Sequence, residues 1–215
     1  MASARDPQLR RAIQSLIAPD ILIDHRIIAN DDEHALLPQE HAAFATSVAK
    51  VRRASGAARI VARDLLARLG EAPQAIPKSG LGVPIWPHGV VGSLAHDCEV
   101  SVAAVAQSRD LAGLGVDVEP AAELDPNVLD FVVTPNERRL IGDDRLRARM
   151  LFSVKEAVYK AIYPLDGAFL DHRDIEVSLQ TDTAIVRNGR MVDFRYCMAT
   201  HIVALAFVSH PARRR

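Results

Sequence analysis

The order of the periodic segments constrains the fold more than any single motif. Residues 38–70, "PQEHAAFATSVAKVRRASGAARIVARDLLARLG", and 147–164, "RARMLFSVKEAVYKAIYP", have helical spacing, and strand-like runs gather before and after them. A doubly wound parallel sheet would need strand and helix to take turns along the chain, and here they do not. The order predicts an α+β chain of two subdomains, 1–114 and 115–215, meeting near residue 114.

Within that frame, "PQLRRAIQSLIA" reads as a helix and "ILIDHRII" as a strand. The stretch 38–70 is expected to be two helices with a break near Ser55 and Gly56, ended by Gly70. The Pro- and Gly-rich run "EAPQAIPKSGLGVPIWPHG" removes ladder donors and permits unusual backbone angles, so it predicts a long ordered loop, and such loops are usually functional. After it, "VSVAAVAQ" and "LAGLGVDVE" read as two adjacent antiparallel strands, and four more strands follow the second helix at "DIEVSLQ", "TAIVRNG", "MVDFRYCMAT" and "HIVALAFVS".

The chain has 215 residues, 49% hydrophobic and 25% charged, enough for one large core or two small ones. No apolar run approaches the ~20 residues that span a bilayer, and the first residues lack the apolar core of a secretory signal, so a cytoplasmic protein without membrane partners is expected. Net charge is −1, which argues against a general grip on nucleic acid, although five of residues 50–63 are Lys or Arg. Cys98 and Cys197 are expected as reduced, core or near-core thiols.

Residues 113–120 read "GLGVDVEP". In an extended strand Asp117 and Glu119 share a face, so the backbone aligns two carboxylates as Mg2+ prefers its oxygen ligands. The same pattern also fits a strand with an acidic exposed face. "FSVKEAVYK" adds Glu156, with Lys160 one helical turn on and Lys155 beside Tyr159, on a helix otherwise apolar enough to be packed. Arg52, Arg59 and Arg63 fall on one face of a continuous helix and could receive an anion or form a solvated stripe, and Lys78 stands in the Pro/Gly loop. Ser93 and His96 lack the surroundings of a nucleophile and base, which leaves His96 as a structural residue or a donor to phosphate. His25, His34 and His41 show no zinc spacing.

Taken in order, "VRRASGAARIVARDLLARLG", "PIWPHGVVGSLAHD", "GLGVDVEP" and "LFSVKEAVYKAIYP" resemble the successive motifs of the 4′-phosphopantetheinyl transferases, in the branch of enterobactin synthase component D. The resemblance implies two similar α+β halves related by pseudo-twofold symmetry, with coenzyme A in the cleft between them. It implies a monomeric enzyme that uses Mg2+, or Mn2+, to move the phosphopantetheine arm of coenzyme A onto a serine of an apo carrier protein, releasing adenosine 3′,5′-bisphosphate. Such carriers serve peptide, siderophore, polyketide or fatty acid synthesis. By resemblance, Asp117, Glu119 and Glu156 are the metal acids, with Glu156 also the candidate base, and Lys160 is catalytic and faces the coenzyme phosphates. Arg52 (or Arg53), Arg59, Lys78, Ser93, His96 and Lys155 complete the implied coenzyme contacts. Ala95 stands where many members carry a hydroxyl. A metal-dependent phosphohydrolase and a non-catalytic coenzyme A-binding module are the alternatives.

Overall fold

Several strands are apolar on both faces, and the direction of each face sets the architecture. The computed structural model describes residues 5–210 except Ile17 and Pro19. In β3 (Val100–Gln107), Val102, Ala104 and Ala106 enter one core while Ala103 and Val105 enter another. In β8 (His201–Ser209), Val203 and Leu205 join the first of these cores, and Ala204, Ala206 and Val208 join a third. Period-two alternation thus stacks four layers: helix α3 (Ala49–Arg68), a first sheet, a second sheet, and helix α6 (Arg145–Asp166).

The first sheet has the order β1-β3-β2, with β1 at Ile21–Ile27 and β2 at Val90–His96. The second has the order β4-β8-β7-β6-β5, from β4 (Leu111–Pro120), β5 (Ile175–Ser178), β6 (Thr183–Val186) and β7 (Met191–Met198). All ladders are antiparallel. Short helices α1 (Pro7–Ile13), α2 (Pro38–His41), α4 (Leu129–Val132) and α5 (Pro135–Ile141) fill the ends. The chain is therefore a mixed α+β protein with two sheets. It changes sheet at the turn between β3 and β4, and residue 114 lies inside β4. No helix among the described residues is long and apolar enough to cross a membrane.

Four local expectations are corrected. The runs "VSVAAVAQ" and "LAGLGVDVE" are not ladder neighbours: β3 pairs with β1 and β2, β4 pairs with β8, and the two meet face to face in the central core. Strands apolar on both sides need cover on both sides, and stacking in separate sheets supplies it. Helix α3 runs unbroken through Ser55 and Gly56. Gly56 is there for close approach, since a Cβ would lie 1.9 Å from the carbonyl oxygen of Asp32. Cys98 is exposed at the β2–β3 turn, whereas Cys197 is buried and its thiol is pushed up to about 11, chiefly by burial. Helix α1 stops at Ile13, a 3-10 turn continues to Leu16, and Ile17 lies outside the described residues.

Glycine also decides how α6 meets the second sheet. A Cβ on Gly115 would lie 1.9 Å from the carbonyl oxygen of Ala157, and one on Gly113 would lie 2.4 Å from that of Ala161. The contacts are with helix backbone, which cannot rotate away. Gly115→Ala should therefore lower stability by roughly 1–3 kcal/mol or more, measured by urea denaturation.

An ion pair ties the β2–β3 turn to the second sheet, with His201 Nε2 3.0 Å from Asp97 Oδ2. Pairing with Asp97 raises the His201 pKa against burial; burial would raise Asp97, but His201 and the amides of Val100 and Glu99 hold it low. The raised imidazole contributes stability that is full below about pH 6.5, its ordinary pKa, and is lost as pH rises through the folded value. The lowered carboxylate contributes stability that is lost as pH falls through its folded value, below 3.8. His201→Gln should accordingly destabilise the protein at pH ~6 and much less at pH ~9 in paired thermal melts.

Candidate active site

Alternation in β4 sends Val116 and Val118 into the central core, so Gly115, Asp117 and Glu119 face α6. On α6, Arg149, Ser153, Glu156 and Lys160 recur at spacings of four, three and four, which places them on one face. The two rows meet because Gly113 and Gly115 let the helix down onto the strand. Asp117, 6% exposed, accepts from Lys160 Nζ at 2.7 Å and from Ser153 Oγ at 3.1 Å. Lys160 also donates to the Val116 carbonyl at 3.2 Å, and Arg149 pairs with Glu119 at 2.8 Å. Glu156 Oε1 lies 2.8 Å from His172 Nε2.

The electrostatics follow this packing. Burial pushes the Asp117 carboxyl up; Lys160 opposes the shift and nearby Glu156 adds to it. Burial and then Asp117 raise Glu119, against Arg149. His172 holds Glu156 below the usual carboxylate range. Among the described residues, no three His, Cys, Asp or Glu side chains converge as a formed metal site. The donor chemistry nevertheless suits a hard divalent cation: neighbouring carboxylates raised by burial and by one another would be relieved by it.

A cleft of about 280 Å³ lies where α3, the 78–84 loop and β2 face α6. Arg59, Lys78, Ser93 and His96 line it from the first half of the chain, and Tyr159, Lys160, Tyr163 and Phe169 line it from the second. Arg59 is 1% exposed; its Nε donates to the Ile76 carbonyl at 2.9 Å and its Nη1 to that of Ser55 at 3.2 Å. Its Nη2 is buried with no hydrogen-bond partner, an arrangement that invites an anion. Burial and then Arg59 push the Lys78 ammonium down. Desolvation, followed by the charges of Lys160 and Lys78, lowers the imidazole of His96 against a raising contact with the Asp97 carbonyl.

Other expected contacts lie elsewhere. Lys155 is fully buried behind α6, where Nζ donates to the Val132 carbonyl at 2.8 Å, Glu137 at 2.7 Å and the His172 carbonyl at 2.9 Å. It cannot touch a ligand in the cleft, because its three donors are spent on α4, α5 and the His172 carbonyl. Arg52 is bound to Glu33 at 3.0 Å and to the Ser47 carbonyl, Arg53 bonds Asn30 at 3.2 Å, and Arg63 is bound to Glu40 at 3.1 Å, so Arg59 alone of the α3 arginines lines the cleft. Arg149 and Ser153 were not among the expected site residues, although the helical spacing that carries Glu156 and Lys160 also places them on that face. No sequence signal pointed to His172, Glu40 or Phe44.

The two halves of the site match known proteins separately. Residues 39–106 match the 4′-phosphopantetheinyl transferase N-terminal domain, and residues 113–206 match the 4′-phosphopantetheinyl transferase superfamily. The chain is 42% identical to 4′-phosphopantetheinyl transferase Npt of Nocardia iowensis over 71% of this chain and 70% of that protein. It is 40% identical to 4′-phosphopantetheinyl transferase Svp of Streptomyces mobaraensis, over 72% and 65% respectively. Enterobactin synthase component D of Escherichia coli O157:H7 is 31% identical over 71% of this chain and 75% of that protein. The chain belongs to the 4′-phosphopantetheinyl transferase superfamily.

Lys155 then has a structural task, bridging α4, α5 and the carbonyl of the residue that holds Glu156. Lys155→Met should cost about 3 kcal/mol in denaturant unfolding, because it strands buried Glu137. A ligand-binding lysine would instead raise the KM for the coenzyme with stability unchanged.

Proposed function

We propose that this chain transfers the 4′-phosphopantetheine group of coenzyme A, with Mg2+, to a serine hydroxyl of an apo carrier protein and releases adenosine 3′,5′-bisphosphate. The observation that carries the reading is a basic cleft wall joined through Lys160 to the acid cluster of β4 and α6. Arg59, Lys78 and His96 stand on the wall from the first half, and Lys160 reaches from the second half to Asp117 beside Glu119 and Glu156. A pyrophosphate diester needs both: cations for its oxygens, and acids to hold a divalent ion and take a proton.

Asp117, Glu119 and Glu156 would hold the Mg2+, which when bound supplies charge neutralisation at the pyrophosphate. Glu156, oriented by its contact with His172, is the base for the serine proton. The serine oxygen bonds to the phosphorus of the phosphopantetheine side, and the bond from that phosphorus to the bisphosphate oxygen breaks. Lys160 and His96 line the cleft and would meet the departing negative charge, and Arg59 and Lys78 would hold the coenzyme against the first half of the chain. Ser93, buried on β2, adds a hydroxyl to the same wall. The two halves 1–114 and 115–215 supply the basic coenzyme-binding groups and the acid groups respectively.

Intact-mass measurement of apo carrier proteins after incubation with this chain, coenzyme A and Mg2+ tests the reading, the expected result being the added phosphopantetheine mass. Asp117→Asn and Glu156→Gln should each reduce the rate at least about 100-fold with an unchanged circular dichroism spectrum. Bisphosphate release without any carrier, or near-wild-type rates in both variants, would overturn it.

A further inference from the structure

Phe44 lies outside every segment in which the sequence suggested chemistry. It ends the 3-10 turn Ala42–Phe44 and is 2% exposed. Both cations of the cleft's basic wall nevertheless sit over its ring. The guanidinium carbon of Arg59 is 4.9 Å from the ring centroid and the Lys78 Nζ is 4.8 Å from it. The three residues come from a turn, a helix and a loop, so tertiary packing alone brings them together.

Two cations gathered at one ring repel each other, and something must offset that repulsion before an anion arrives. Glu40 answers Arg59 at 3.5 Å, but its carboxylate is shared with Arg63 and the Ile76 amide. Among the described residues no carboxylate is paired with Lys78. The face of the Phe44 ring carries partial negative charge and is the attraction that both cations share. A ring differs from an acid in one respect that matters here: it attracts cations without adding net charge, so the wall keeps its positive potential for a phosphate. The buried, unpartnered Nη2 of Arg59 fits a wall that awaits such a ligand.

We propose that Phe44 is a positioning residue for coenzyme binding: it holds Arg59 and Lys78 at one ring and thereby sets the affinity of the basic wall for a coenzyme phosphate. The inference rests on the coenzyme reading above. It assigns to an aromatic residue beneath the cleft a share of binding that a contact list of the cleft would omit.

Calorimetric titration of coenzyme A and adenosine 3′,5′-bisphosphate into wild type, Phe44→Leu, Phe44→Tyr, Lys78→Met and the Phe44→Leu/Lys78→Met double variant tests it, with thermal melts confirming the fold. Phe44→Leu should weaken both ligands about tenfold, while Phe44→Tyr stays within about twofold of wild type. In the Lys78→Met background the same Leu substitution should cost only about threefold, since one of its two cations is gone. With saturating coenzyme, kcat should be unchanged in Phe44→Leu. Wild-type affinity in Phe44→Leu, an equal loss in Phe44→Tyr, or full additivity with Lys78→Met would overturn the role. A wild-type chain that binds neither ligand would overturn the coenzyme reading itself, and this inference with it.

Discussion

In β4, Gly113 and Gly115 present hydrogen atoms where any other residue would present a Cβ, and the backbone of α6 at Ala157 and Ala161 fills that space. The geometry of the acid cluster depends on this contact. A strand and a helix packed at ordinary separation could not keep Lys160 2.7 Å and Ser153 3.1 Å from the same carboxylate. The glycines also explain why Asp117 is buried: the helix that lies on the strand takes the carboxylate out of water. Burial in turn raises the cost of its charge and makes a cationic neighbour valuable.

The charges of the two halves are arranged differently. On α6 and β4 they are interleaved, each carboxylate having a cation or histidine of its own. On α3 and its loop the cations outnumber their buried partner: Glu40 serves Arg59 and Arg63, and an aromatic ring takes the place of a second acid. The first half is thereby left with unspent positive potential facing the cleft, and the second with an acid set of which Asp117 is buried and Glu119 and Glu156 are half-buried. Groups fixed in this way need little reorganisation when a charged ligand arrives, which is the general source of electrostatic catalysis.

Much of this was legible in the primary structure, and the exceptions have physical causes. The spacing of Asp117 and Glu119 on a strand and of Glu156 and Lys160 on a helix follows from backbone geometry, so both pairs fall on shared faces as their periods require. Lys155 sits one residue from Glu156, yet one residue is about 100° of rotation on a helix, and that turns it toward α4 and α5 rather than the cleft. Gly56 looked like a helix break because glycine disfavours helices, but the space it frees is occupied by the Asp32 backbone, and packing outweighs propensity. The strand pairing was misread for a similar reason: short separation in sequence favours a hairpin, but residues apolar on both faces favour stacking between sheets.

By itself the sequence determined the element types, the α+β order, the carboxylates of β4 and α6 and the family motifs, since these rest on local periods and on residue identity at fixed spacing. Tertiary structure alone decided which sheet each strand joined, which α3 arginine faces the cleft, and that His172, Glu40 and Phe44 belong to the site. Those residues act through contacts across 15 or more positions of chain, as Phe44 does with Arg59, His172 with Glu156 and Glu40 with Ile76. No local period encodes such contacts. They exist only once two sheets and two long helices have packed.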